Sequence, residues 1–172
     1  MAHFGGFLAT DLLEVVDLVS EPDVLDRGGW WAVEAGFEGR MTAYRFGNVR
    51  PAPLAAGGAW RGPSRQDWSS SLDHDQYVAG VCAIRERIAA GDVYQVNLCR
   101  VLSARLREPA DPLALAARIF RGNPAPYQGV LHTGSQWLVT ASPELFLSKS
   151  GPRVISSPVK GTARPGSVAR VS

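Results

Sequence analysis

YQGVLHTGSQWLVTASPELFLSKSGPRVI, residues 127–155, is the stretch whose reading decides the fold class. Apolar and β-branched runs at 127–132, 137–141 and 145–147 are separated by Thr133-Gly134-Ser135 and Ser142-Pro143, and Ser150-Gly151-Pro152 turns into Arg153-Val154-Ile155. Short runs of this kind, punctuated by turn residues, predict an antiparallel meander. Immediately upstream, Asp111-Pro112 supplies a helix cap and a first-turn proline. Leu113, Ala116, Ala117 and Phe120 then fall on one face before Gly122-Asn123-Pro124 stops the helix.

Further upstream, a helix is expected over residues 73–90, because Tyr77, Val81, Ile84 and Ile88 recur at helical steps while Arg85, Glu86 and Arg87 occupy much of the other side. Gly91 ends it. Residues 93–99 then alternate strictly, which predicts a strand with Gln95 and Asn97 on one face and Tyr94, Val96 and Leu98 on the other. The amide pair marks either a substrate-facing surface or an ordinary wet sheet face. In residues 1–50, Asp26-Arg27-Gly28-Gly29 leads into Trp30-Trp31-Ala32-Val33, and Glu38-Gly39-Arg40 separates that run from Met41 to Phe46, as in a hairpin. The Pro- and Gly-rich residues 51–63 exclude a continuous helix or a central strand. Trp60 and Trp68 either cap a core, the stronger expectation for both, or line a pocket. Strands followed by helices and more strands make the chain α+β, with antiparallel sheets and flanking helices.

Composition limits the function. The 172 residues are 45% hydrophobic and 20% charged, with a net charge of +2, which supports a real core and gives little support to nucleic-acid binding. Cys82 and Cys99 form no CxxC and have no histidine pair nearby, so they are expected to be reduced core thiols. The first twenty residues carry Asp11, Glu14 and Asp17 among apolar residues, unlike a signal peptide or a membrane span, which points to a cytoplasmic protein. Residues after Thr162 show no apolar periodicity able to cover the meander, so an uncovered sheet face or edge is expected.

No GxSxG, Walker loop, HExxH or GxGxxG is present. His3, His74 and His132 are isolated and carry no assignment. Glu144, after a strand-breaking Ser-Pro, and Lys160, at the end of a later strand, are the ionisable residues that stand out. On adjacent strand ends they form either an acid and a neutral amine sharing a cleft or a plain surface ion pair.

Four blocks carry a family resemblance: AGDVYQVNL at 90–98, NPAPY at 123–127, ASPELFL at 141–147 and SPVKGTARPG at 157–166. In order and spacing they resemble the chorismate-utilising enzymes, specifically the large subunits of aminodeoxychorismate synthase and anthranilate synthase. The resemblance implies a variable Trp-rich segment at 1–70 and an incomplete chorismate-binding domain at 71–172. Water-adding members carry a lysine where this chain has Gln95, which leaves ammonia as the implied nucleophile. Anthranilate synthases usually place alanine before Gly-Thr, whereas this chain has Lys160, as aminodeoxychorismate synthases do.

Carried over, the resemblance implies attack of Lys160 on C2 of chorismate as the C4 hydroxyl leaves, with Glu144 as general acid and ammonia then entering at C4. Gly161 and Thr162 would line the ring site, and Gln95 and Asn97 would support it. The implied partners are chorismate and a glutamine amidotransferase subunit delivering ammonia, with neither nucleic acid nor membrane. Mg²⁺ belongs to the complete family enzyme, and its glutamate ligands are expected in later segments, outside this chain. A chain of this length is therefore expected to be inactive alone. A non-catalytic subunit docking the amidotransferase, and an anthranilate synthase, are the alternative readings.

Overall fold

A computed structural model describes residues 1–55, 57–106 and 108–159. The chain forms two compact units, residues 1–60 together with the chain from Asp111, and residues 61–110.

The first unit is organised by a six-stranded antiparallel sheet. Its strands are β1 (Ala2–Phe4), β2 (Phe7–Asp17), β3 (Trp30–Ala35), β4 (Met41–Pro51), and two later strands at Tyr127–His132 and Trp137–Ser142, introduced below as β7 and β8. The spatial order is β3-β4-β2-β1-β7-β8, so the N-terminal strand pairs with both β2 and β7 and joins the two ends of the unit. Gly5 and Gly6, at φ of 58° and 82°, make the two-residue turn between β1 and β2, a conformation that side-chain-bearing residues resist. The β3–β4 hairpin expected from the Gly39 turn is present, and β4 runs past Phe46 to Pro51. The β2–β4 pairing shifts register between Leu12 and Glu14, next to Asp11, whose φ of 62° is a strained left-handed value for a non-glycine residue.

One apolar cluster gathers Ala2, Ala9, Ala32, Tyr44, Phe46 and Leu131, with Phe4, Trp30 and Val49 against it. A second joins Val16, Leu18, Ala43 and Val24, the last carried on a short 3-10 turn, Pro22–Arg27, and only 1% exposed. The sheet curls. Gln136, in the β7–β8 turn at one end of the strand order, donates its amide to Glu34 of β3 at the other end, at 3.0 and 3.2 Å, and the Tyr44 hydroxyl donates to the same carboxylate at 3.2 Å. Burial, and then the hydrogen bond and charge of Glu34, push the Tyr44 phenol above its ordinary value.

The expected Asp111-Pro112 helix forms, and it packs on β7 and β8 with Ala114 and Ala116 buried. The four-run meander is corrected by the structure. β7 and β8 extend the large sheet, but Leu145–Ser150 and Arg153–Ser157 form a separate two-stranded sheet. The break falls at Pro143, which has no N–H to offer a ladder, and the Ser142 hydroxyl bonds locally instead. Among the described residues, apolar surface is left open on this hairpin, with Phe146 88% exposed.

The second unit holds two short strands, β5 (Trp68–Ser70) and β6 (Leu102–Ala104), paired antiparallel, and helix α1 (His74–Ala90). With β6 placed, the later strands take the numbers β7 to β10 in chain order, and the helix Pro112–Gly122 is α2. In α1, Asp73 accepts from Gln76 N–H at 2.8 Å while its own N–H donates to the Gln76 side chain at 2.9 Å, and Gly91 at φ of 82° closes the helix.

Three expectations for this unit are corrected. Residues 93–99 do not form a strand, because alternation prepares a pleat but a strand also needs a ladder partner. Cys82 and Cys99 are free thiols but exposed, not core residues. The apolar face of α1 is uncovered within the described residues, Tyr77, Val81 and Ile88 all being exposed, and Trp68 is exposed as well. Trp60, in the first unit, is half-buried.

Candidate active site

Glu144 sits at the corner between β8 and β9. The Ser142 hydroxyl donates to the Glu144 carbonyl at 3.0 Å and accepts the Glu144 N–H at 3.3 Å. This small side-chain loop holds the backbone on either side of Pro143, so the direction in which Glu144 leaves the corner is set locally. The side chain is exposed within the described residues, so the burial assumed for a general acid is not supplied by them.

The hairpin register matters here. Leu145, the residue after Glu144, stands opposite Ser157 of β10, with an irregularity between Ile155 and Ser157. Ser157 opens the SPVKGT block, and Lys160 follows three residues later. Lys160, Gly161 and Thr162 lie outside the described residues. Glu144 is thus at the root of the hairpin, whose second strand ends at Ser157.

Gln95 and Asn97 are exposed and belong to the second unit, in the irregular segment after Gly91. Its entry is held by Arg87, which pairs with Asp92 at 2.8 Å. Leu98 lies over Gly80 of α1, where an added Cβ would come within 2.9 Å of Leu98 Cδ2. That contact anchors the residue next to Asn97 to the helix. The two amides make no side-chain bond recorded among the described residues, and they do not share a strand face.

No group of three or more His, Cys, Asp or Glu side chains able to hold a metal ion occurs among the described residues. The described donors therefore do not fit the Mg²⁺ that the sequence resemblance implies. No helix among them is long and apolar enough to cross a membrane.

Two features escaped the sequence reading. Asp111 caps α2 by accepting from Leu113 and Ala114 N–H at 2.9 and 3.2 Å, and its other oxygen accepts the Gly58 N–H at 2.8 Å. These backbone bonds, Gly58 first, hold its carboxyl below the usual carboxylate range. The Asp-Pro signal announced the cap, but nothing local announced a tether to residue 58. The other is Gln128 on β7, whose Oε1 is buried and finds no hydrogen-bond partner among the described residues.

Comparison with known proteins places these residues in context. The profile of the family described as chorismate binding enzyme matches residues 54–170. The anthranilate synthase component 1 of Haloarcula marismortui is 33% identical over 137 residues, covering 73% of this chain and 27% of that protein. The corresponding protein of Thermus thermophilus is 37% identical over 112 residues, covering 64% and 23%. The aminodeoxychorismate synthase component 1 of Bacillus subtilis is 32% identical over 99 residues, covering 58% and 21%. The chain spans about a quarter of the length of these relatives.

Proposed function

Because the chain belongs to the chorismate binding enzyme family, we propose that it contributes the lysine and the general acid to an amination of chorismate. The observation that carries this reading is the β9–β10 register, in which the residue after Glu144 stands opposite Ser157, at the start of the segment bearing Lys160. Uncharged Lys160 attacks C2, both conjugated ring double bonds shift, and the C4 hydroxyl leaves as water with a proton from Glu144. Ammonia then attacks C4, both double bonds shift back, and the C2–N bond to the lysine breaks. The net change is chorismate plus ammonia to 4-amino-4-deoxychorismate plus water, divided into two allylic displacements. A glutamine amidotransferase subunit supplies the ammonia, and Gly161, Thr162, Gln95 and Asn97 support the ring. Mg²⁺ is held by residues outside the described part.

A second reading has its own support: the relatives include several named anthranilate synthase component 1. That activity places the amine next to the ring carboxylate and needs no lysine nucleophile. Lys160 favours the 4-amino product.

The test supplies the chain with the remaining C-terminal portion of the Bacillus subtilis relative, chorismate, Mg²⁺ and ammonium. Chromatography then separates 4-amino-4-deoxychorismate from anthranilate. The reading expects the 4-amino product, its loss in Lys160→Ala, and a fall of about 10²–10⁴-fold in Glu144→Gln, the range for a general acid. Anthranilate as the product, or full activity in Lys160→Ala, would overturn it.

A further inference from the structure

In the first unit, an open groove of about 560 Å³ lies between residues 58–60 and α2, walled by Gly58, Ala59 and Trp60 on one side and by Arg118 and Arg121 on the other. The amination chemistry uses none of these residues. The loop wall is fixed in place: Asp111 holds the Gly58 N–H at 2.8 Å, and Gly57 sits so close to Ala114 that a Cβ would collide with its backbone nitrogen. The groove is thus a built feature of the fold.

Its charge is one-sided. No carboxylate lines the groove. Asp111, at its edge, is engaged by three backbone N–H groups. Neither arginine forms an ion pair among the described residues. The Arg121 Nε donates to the Ala117 carbonyl at 3.2 Å, which holds the side chain along the helix and keeps its terminal nitrogens available. Three residues apart, the two arginines share a face with Cβ atoms about 5–6 Å apart, where like charges repel. The helix dipole favours a cation in the last turn and so accounts for Arg121, but it does not explain a second guanidinium beside an indole.

We propose that this groove binds a small organic dicarboxylate, one carboxylate on each guanidinium and the hydrocarbon body against Trp60. Guanidinium forks match carboxylates with two parallel hydrogen bonds each, and the half-buried indole offers the apolar face that a planar unsaturated body needs. Chorismate, itself a dicarboxylate, is a suitable probe, although the groove's geometry does not depend on the amination reading.

Isothermal titration of the chain with chorismate at low ionic strength tests the proposal, with circular dichroism showing that each variant is folded. Arg118→Gln and Arg121→Gln are each expected to weaken binding about tenfold, and the double variant to abolish it. 4-Hydroxybenzoate, with one carboxylate, should bind at least about tenfold more weakly than chorismate, and raising the salt should weaken both.

No heat from the parent, or a double variant that binds like the parent, would overturn the proposal. Binding lost in Lys160→Ala but kept in the arginine variants would overturn the groove and leave the amination reading intact. Arginine-dependent binding by a chain whose complemented form makes no aminated product would keep the groove and remove the amination reading.

Discussion

Gly129→Ala tests the joint on which the first unit depends, the insertion of β1 between β2 and β7. Gly129 stands directly opposite Phe4 in the β1–β7 register, and a Cβ there would run into Phe4 Cδ1 and Cε1. The aromatic ring therefore lies over a residue with no side chain, an arrangement in which a neighbouring aromatic covers a strand glycine. Phe4 in turn packs on the cluster of Ala2, Ala9, Ala32, Tyr44, Phe46 and Leu131.

A methyl group at 129 forces the ring off its site. Overpacking of this kind costs about 1–3 kcal/mol, and an off-rotamer ring adds about 1 kcal/mol. Alanine's stiffer unfolded chain offsets about 0.4–1 kcal/mol. The net expectation is a loss of about 1–3.5 kcal/mol, a large share of the ~5–15 kcal/mol that holds a typical domain.

Urea unfolding followed by tryptophan fluorescence measures the loss as a lower midpoint at unchanged slope. A double-mutant cycle sharpens the test. Phe4→Ala alone leaves a void costing about 3–5 kcal/mol, but it also makes room for the methyl. The double variant should therefore be more stable than the sum of the singles by at least about 1 kcal/mol. An unchanged midpoint for Gly129→Ala, or strict additivity in the cycle, would refute the account of Phe4 covering Gly129.

Two further outcomes are expected. Asp111→Ala removes the α2 cap and the tether to Gly58 together, so the unfolding midpoint should fall at neutral pH, whereas an unchanged midpoint would mean that neither bond matters. The Asp111 carboxyl is held below its unfolded value of about 3.9. Its contribution is therefore complete above that value and lost as the pH falls through the lower folded value, so parent and variant should converge at strongly acid pH. Gln128→Leu replaces a buried carbonyl oxygen that lacks a partner among the described residues with an apolar group of similar size. It should leave stability equal or raise it by about 1 kcal/mol by thermal unfolding, and a clear loss would show that the amide is satisfied after all.

What was legible in the sequence was what neighbouring residues decide among themselves. Gly91 ends α1, Asp111-Pro112 opens α2, and the Gly39 turn marks the β3–β4 hairpin; each signal is complete within a few residues. The Gly5-Gly6 turn is a local signal of the same kind, lying between apolar runs in the sequence, and it was passed over. What failed depends on distant partners. Residues 93–99 alternate as a strand should but have no ladder to join. Cys82, Cys99 and Trp68 are residues that usually pack, yet each is exposed here. At the site, Ser142-Pro143 announced the corner that holds Glu144. The β9–β10 register that sets Leu145, the residue after Glu144, opposite Ser157 emerges only from pairing across the hairpin.

If Glu144 is the proton donor proposed above, its position ties the chemistry to an element with little support among the described residues of the first unit. Its backbone is fixed on the β8 side by the Ser142 hydroxyl and on the other side only by β9, half of a two-stranded sheet whose Phe146, Leu147, Val154 and Ile155 are all exposed. An isolated two-stranded hairpin is marginal in water, because it buries too little to offset the entropy of ordering its strands. General-acid catalysis needs a proton donor within about 3 Å of the leaving oxygen, and small displacements are costly in rate. Placement of the acid therefore cannot be better than the order of the hairpin that carries it. In the proposed reading, a polypeptide that covers the apolar side of β9 and β10 orders the hairpin and with it the corner that carries Glu144. The two effects share one cause, so gain of activity and protection of the hairpin amides have to appear together.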